Sequence, residues 1–104
     1  MGLTVVYSKI ARQGLKEIYN YIRRDSIRYA FKEIESIRFA IRKLKLNPLM
    51  GRRFEKSDDE FTRELIFKNY RIVYDIDPAK TIIILSIHHH ARLITNNPAF
   101  SEEE

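Results

Sequence analysis

At 104 residues the chain has room for one domain with a modest core and not for two. It holds no cysteine, which excludes a disulfide framework and a thiolate metal site, and no apolar run approaches the roughly 20 residues that span a bilayer. Its formal net charge of +5 is unevenly divided: residues 1–56 carry 14 Lys/Arg against 5 Asp/Glu, and residues 57–104 carry 5 against 9.

The basic half suits an acidic partner, whether nucleic acid, a ribosome or an acidic protein segment, because long-range attraction raises association rates without choosing among them. The opening Met1-Gly2-Leu3-Thr4-Val5-Val6-Tyr7 is short, uncharged and turns polar at Ser8-Lys9. No signal peptide is therefore expected, and the expected location is cytoplasmic.

Residues 3–7 alternate, with Leu3, Val5 and Tyr7 on one side, and predict a first strand. Ser8 is placed to cap a helix whose apolar stripe is Ala11, Leu15, Ile18, Tyr19 and Ile22; Gly14 weakens it slightly. A second helix opens at Asp25 or Ser26, with Ile27, Phe31, Ile34, Ile37, Ile41 and Leu44 at helical spacing, and Asn47-Pro48 stops it. The short Arg23-Arg24-Asp25 connection makes the two helices a hairpin with both stripes, aromatic residues included, facing a common sheet.

The polar stretch from Arg52 to Glu60 predicts a loop. Thr62 to Phe67 and Tyr70 to Ile76 predict strands joined at Lys68-Asn69, with asparagine taking the positive backbone angle of a tight hairpin. Asp77-Pro78-Ala79-Lys80 is a turn. Thr81 to Ile87 is the most apolar strand, which suggests a central position covered on both faces. The helices cover one face only, so Val73, Ile83 and Leu85 are expected to form an apolar surface on the other, open to a partner or to the chain's own loop and tail. The expected fold is α+β, in the order β-α-α-β-β-β, with the helix hairpin on one face of a four-stranded, mainly antiparallel sheet. Residues 1–94 form its single domain and residues 95–104 a partly disordered tail ending in Ser101 to Glu104.

Chemistry concentrates at the strand ends. Arg71 lies in Tyr70-Arg71-Ile72-Val73-Tyr74, and the last strand runs into His88-His89-His90-Ala91-Arg92. Arg71 can instead pair with Asp75 or Glu64 across the sheet, an exposed pairing that contributes about 0.2 to 1 kcal/mol. His88 and His90 share a strand face, but two histidines make a weak metal site and no third ligand is evident, so no metal and no cofactor are expected.

The element order, with Arg63-Glu64-Leu65, Tyr70-Arg71-Ile72-Val73-Tyr74 and His88-His89-His90-Ala91-Arg92, resembles the RelE/ParE family of toxins from type II toxin-antitoxin systems over residues 3 to about 93. The resemblance implies growth arrest, a role in plasmid stabilization, and a cognate antitoxin protein that wraps the toxin. It leaves two targets open. RelE-like members are ribosome-dependent mRNA endoribonucleases, or mRNA interferases; ParE-like members inhibit DNA gyrase and need no catalytic residues.

In the nuclease reading, Arg71 stabilises the pentavalent phosphate, His88, His89 or His90 supplies acid or base, and Arg92 is a second phosphate clamp. Arg52, Arg53, Arg63, Lys68 and Tyr70 then bind RNA or the target, with Glu55 or Glu64 as an assisting carboxylate. Thr62 and Glu64, however, stand where some RelE-like nucleases carry lysines. Arg63-Glu64-Leu65 and the His-x-x-Ala-Arg ending are closer to the ParE-like pattern, and gyrase inhibition is the preferred expectation. A basic nucleic-acid-binding module without toxicity is a third reading, opposed by the lack of a stacking motif on paired strands.

Overall fold

The computed structural model describes residues 3–54 and 61–89. Strand β1 (Thr4–Tyr7) leads into helix α1 (Lys9–Ile22) and helix α2 (Ile27–Arg42), the latter extended by a 3₁₀ turn over Lys43–Lys45. Four strands follow: β2 (Arg52–Arg53), β3 (Thr62–Phe67), β4 (Tyr70–Asp77) and β5 (Thr81–His89). The sheet has five strands in the order β1-β5-β4-β3-β2, with β1 parallel to β5 and the other pairs antiparallel. The α+β class is as expected. The four-stranded description is corrected by β2, because Arg52 and Arg53 pair with Glu64 and Arg63 where a loop is predicted. The expected tail, 95–104, lies outside the described residues.

Both helices start on a serine. Ser8 Oγ accepts the Ala11 N–H at 3.0 Å, and Ser26 Oγ accepts the Tyr29 N–H at 3.1 Å, each satisfying a donor that the first helical turn leaves open. Ser8 also joins α1 to the sheet, since its hydroxyl donates to the Leu85 carbonyl and its N–H to the Ile84 carbonyl, both at 2.9 Å. Gly14 is the point of closest approach between α1 and β5. A Cβ there would stand 2.4 Å from the Ile87 carbonyl oxygen. The weak helix former is needed for packing.

The core lies between the helices and one face of the sheet, where Leu15, Ile18, Ile37, Ile41 and Leu44 meet Ile72, Tyr74, Ile82, Ile84 and Ile87. Two expectations for α2 are corrected. Ile27 and Phe31 are 61% and 62% exposed, and the buried row is Ala30, Glu33, Ile37, Ala40 and Ile41. In the β3–β4 hairpin the positive φ falls on Lys68, at 56°, and not on Asn69.

Tyr74, in the core of β4, ties the segment after α2 to the sheet. Its fully buried hydroxyl donates to the Pro48 carbonyl at 2.7 Å and accepts the Gly51 N–H at 2.9 Å. Burial pushes its pKa above the usual tyrosine value, against the opposing pull of Gly51 N–H and Arg63. Gly51 has no room for a side chain, since a Cβ would lie 2.7 Å from that hydroxyl and 2.6 Å from the Glu64 carbonyl oxygen.

Candidate functional site

Alternation along β4 and β5 sorts the predicted site residues onto two faces. Arg71 stands opposite His88, and Tyr70 opposite His89. Opposed residues share a face, so Arg71 and His88 project from the side away from the helices, while Tyr70 and His89 point toward them. The rings of Tyr70 and His89 confirm this at a centroid separation of 5.0 Å, with Tyr21 of α1 6.2 Å from His89. Of the histidines, His88 alone among the described residues joins Arg71. His90 and Arg92 lie outside the described residues.

The register shifts between Val73 and Tyr74, which oppose Ser86 and Ile84. Leu85 is thus the extra residue of a β-bulge, and its carbonyl is the one held by Ser8. Ile82 and Ile84 before it and Ile87 after it are all buried against the helices.

Glu64 is the residue that organises the outer face. Its carboxylate is nearly buried and lies between two guanidinium groups: Arg52 Nε donates to Oε2 at 2.8 Å, and Arg71 Nε is 3.3 Å from Oε1. The second contact is an ion pair without hydrogen-bond alignment, leaving both of its atoms without a hydrogen-bond partner. Thr62 donates to the Asp75 carboxylate on the same face. The alternative expectation for Arg71, pairing with Glu64, is the arrangement found.

The remaining predicted contacts are dispersed. Arg53 is exposed and opposes Arg63, whose Nη1 donates to the Gly51 carbonyl at 2.7 Å. Lys68 sits in the hairpin turn, with Nζ 3.5 Å from Glu33 Oε1. Tyr70 is buried, and its hydroxyl donates to Glu33 Oε2 at 3.0 Å. Burial, then the hydrogen bond and charge of Glu33, push the Tyr70 pKa well above its ordinary value. Val73 is itself buried, 7% exposed, and offers almost no surface to a partner, whereas Ile83 and Leu85 are half-buried. No group of three or more His, Asp or Glu able to hold a metal occurs among the described residues.

Glu33 is the residue that sequence reasoning missed. The available signal was its place in the row Ala30, Glu33, Ile37, Ala40, where a carboxylate interrupts an otherwise apolar face. A second missed feature is a groove of about 300 Å³ between the helices, lined by Leu15, Tyr19 and Ile34 with Arg12, Lys16 and Arg38 around them.

Comparison with solved structures shows the same fold elsewhere. The chromosomal ParDE toxin-antitoxin system of P. aeruginosa matches with a TM-score of 0.69 and 22% identity, over 84% of this chain and 95% of that one. The RelBE2 toxin-antitoxin complex of Mycobacterium tuberculosis matches with a TM-score of 0.56 and 24% identity, over 86% and 99%. A free-state mutant of the E. coli toxin RelE matches with a TM-score of 0.58 and 14% identity, over 98% and 94%. No curated protein matches. No helix among the described residues is long and apolar enough to cross a membrane. The family model described as "ParE toxin of type II toxin-antitoxin system, parDE" matches residues 5–94, a span that takes in both helices, β2 to β5, β1 but for its first residue, and the Arg71–His88 face. With sequence match and fold in agreement, the chain belongs to the ParE toxin family of type II toxin-antitoxin systems.

Proposed function

We infer that this toxin arrests growth as ParE-like members do, by inhibiting DNA gyrase. The observation that carries the reading is the Glu64 carboxylate beside Arg71. A guanidinium serving as a phosphate clamp works through its net positive charge, and here a nearly buried carboxylate 3.3 Å from Nε offsets that charge toward an incoming phosphate. His89 faces the helices and adds nothing to that side. A toxin that acts by contact needs no such centre, and the match to a ParE family model supports the same branch.

Supercoiling by purified gyrase tests it. Supercoiling falls, or cleaved DNA complexes accumulate, when the protein is added. Unimpaired gyrase at protein levels that arrest cells would reject the reading.

One observation favours the second reading, a RelE-like mRNA endoribonuclease. Arg71, His88 and Glu64 share a sheet face, which brings a cation, an imidazole and a carboxylate within one neighbourhood. Primer extension on messenger RNA from induced cells would then show new, translation-dependent cuts that Arg71→Ala abolishes.

A cognate antitoxin belongs to both readings. The groove between α1 and α2, with its apolar floor of Leu15, Tyr19 and Ile34 and its Arg12, Lys16 and Arg38 rim, supports docking of an acidic amphipathic segment that orders on binding. Ile83 and Leu85 remain the sheet-face alternative. Co-expression with the neighbouring small reading frame, one chain tagged, should recover both chains together.

A further inference from the structure

On the helix side of the sheet, α2 and the end of β3 enclose a groove of about 380 Å³ lined by Lys32, Glu35, Ser36, Phe39, Arg42 and Phe67. Phe39 is 55% exposed, an apolar ring that the fold leaves uncovered. Two cations attend it, with Lys43 Nζ 5.1 Å and the Arg42 guanidinium 5.8 Å from the ring centroid. Across the groove, Lys68 Nζ lies 5.5 Å from the centroid of Phe67. Lys32, Arg42 and Lys43 thus stand around the two rings against a single exposed acid, Glu35, with Lys68 beside them and paired to the buried Glu33.

We propose that this groove binds single-stranded nucleic acid, with Phe39 as a stacking platform for a base and Lys32, Arg42 and Lys43 as contacts for the adjoining phosphates. Every base has a face that an aromatic ring can stack on, and cations beside the ring follow the backbone without reading sequence. A duplex hides its base faces, so the strand must be single. The sequence alone hides the arrangement, because its rings come from a helix and a strand distant in the chain and form no aromatic pair on adjacent strands. The site stands on the opposite side of the sheet from Arg71 and His88 and is independent of whether gyrase or messenger RNA is the toxin's target.

The chain contains no tryptophan, so Phe39→Trp installs a sole indole reporter at the platform. Titration of that variant with twelve-nucleotide oligothymidine and oligouridine should quench its fluorescence. In parallel, anisotropy of the labelled oligonucleotides should show Phe39→Ala binding about five- to a hundredfold more weakly at an unchanged salt slope. Lys43→Ala should instead lower the slope of log K against log salt by about 0.7. Because Phe39 is exposed, its variants should keep the wild-type far-ultraviolet circular dichroism and urea midpoint. Absence of quenching, or a Phe39→Ala protein that binds as tightly as wild type, would overturn the proposal. So would a face that ignores both oligonucleotides but loses antitoxin capture in Phe39→Ala, which would assign it to a protein.

Discussion

Glu64 Oε1 lies 3.3 Å from Arg71 Nε, and the same carboxylate takes a 2.8 Å hydrogen bond from Arg52 through its other oxygen. Arg52 is largely exposed, so its share of the pairing is screened by water and small. Glu64 and Arg71 are shielded, and Glu64→Gln should lower stability by about 1–3 kcal/mol, read as a shift of the urea midpoint. If the toxin acts by contact, Arg71→Gln keeps growth arrest on induction while losing some stability. Abolished arrest in a folded Arg71→Gln protein would count for the nuclease.

Tyr74→Phe removes one hydroxyl and strands two backbone groups, the Pro48 carbonyl and the Gly51 N–H. Unfilled backbone partners in a buried place cost about 1–3 kcal/mol, more than the loss of one exposed hydrogen bond. Chemical denaturation of Tyr74→Phe beside an exposed control such as Tyr29→Phe should separate the two.

Gly14→Ala offers a contest between two effects of opposite sign. Alanine gains up to about 1 kcal/mol of helix propensity over glycine. The new methyl would sit 2.4 Å from the Ile87 carbonyl oxygen, backbone that cannot swing aside. Overpacking of this kind costs about 1–3 kcal/mol, so net destabilisation is expected in thermal unfolding. A stabilised variant would show that α1 can move off β5.

Tyr7, Tyr70 and Tyr74 all have folded-state pKa values raised above 10, in each case chiefly by burial. A raised value means that the fold prefers the protonated phenol. Its contribution is complete below the unfolded pKa of about 10 and is lost as pH climbs from there toward the folded value. Urea midpoints should therefore fall steeply above about pH 10. Tyr70→Phe, lacking the most strongly shifted of these groups, should show a shallower fall, and an unchanged slope would contradict the burial of that phenol.

Much of the fold is written locally. Ser8 and Ser26 announce their helices because a hydroxyl at that position answers an open N–H whatever the rest of the chain does. The row of α2 that meets the sheet was harder to see. Counting large apolar residues selects Ile27 and Phe31, but close packing there selects Ala30 and Ala40, whose small side chains let neighbours approach. Arg52 and Arg53 carry no strand signal of their own, and pairing with β3 imposes one.

The candidate site was legible in its residue types and not in its sides. Arg71, Glu64 and His88 could be named from sequence. Their shared face depends on strand register, a long-range property, and for His88 a single unpaired residue in β5 decides it. The Glu33 cluster depends likewise on α2 lying over the β3–β4 turn, a contact between residues 35 and 37 positions apart.

The bulge at Leu85 acts as a phase setter for everything downstream of it. Were β5 to run on without that offset, Ile87 would turn outward to stand opposite Arg71, the ring of His89 would leave Tyr70 for the outer face at the level of Asn69, and His88 would turn toward the helices opposite Tyr70. A serine hydroxyl near the start of the chain, latched onto the carbonyl of residue 85, therefore helps set whether the guanidinium faces an imidazole or an isoleucine across the sheet.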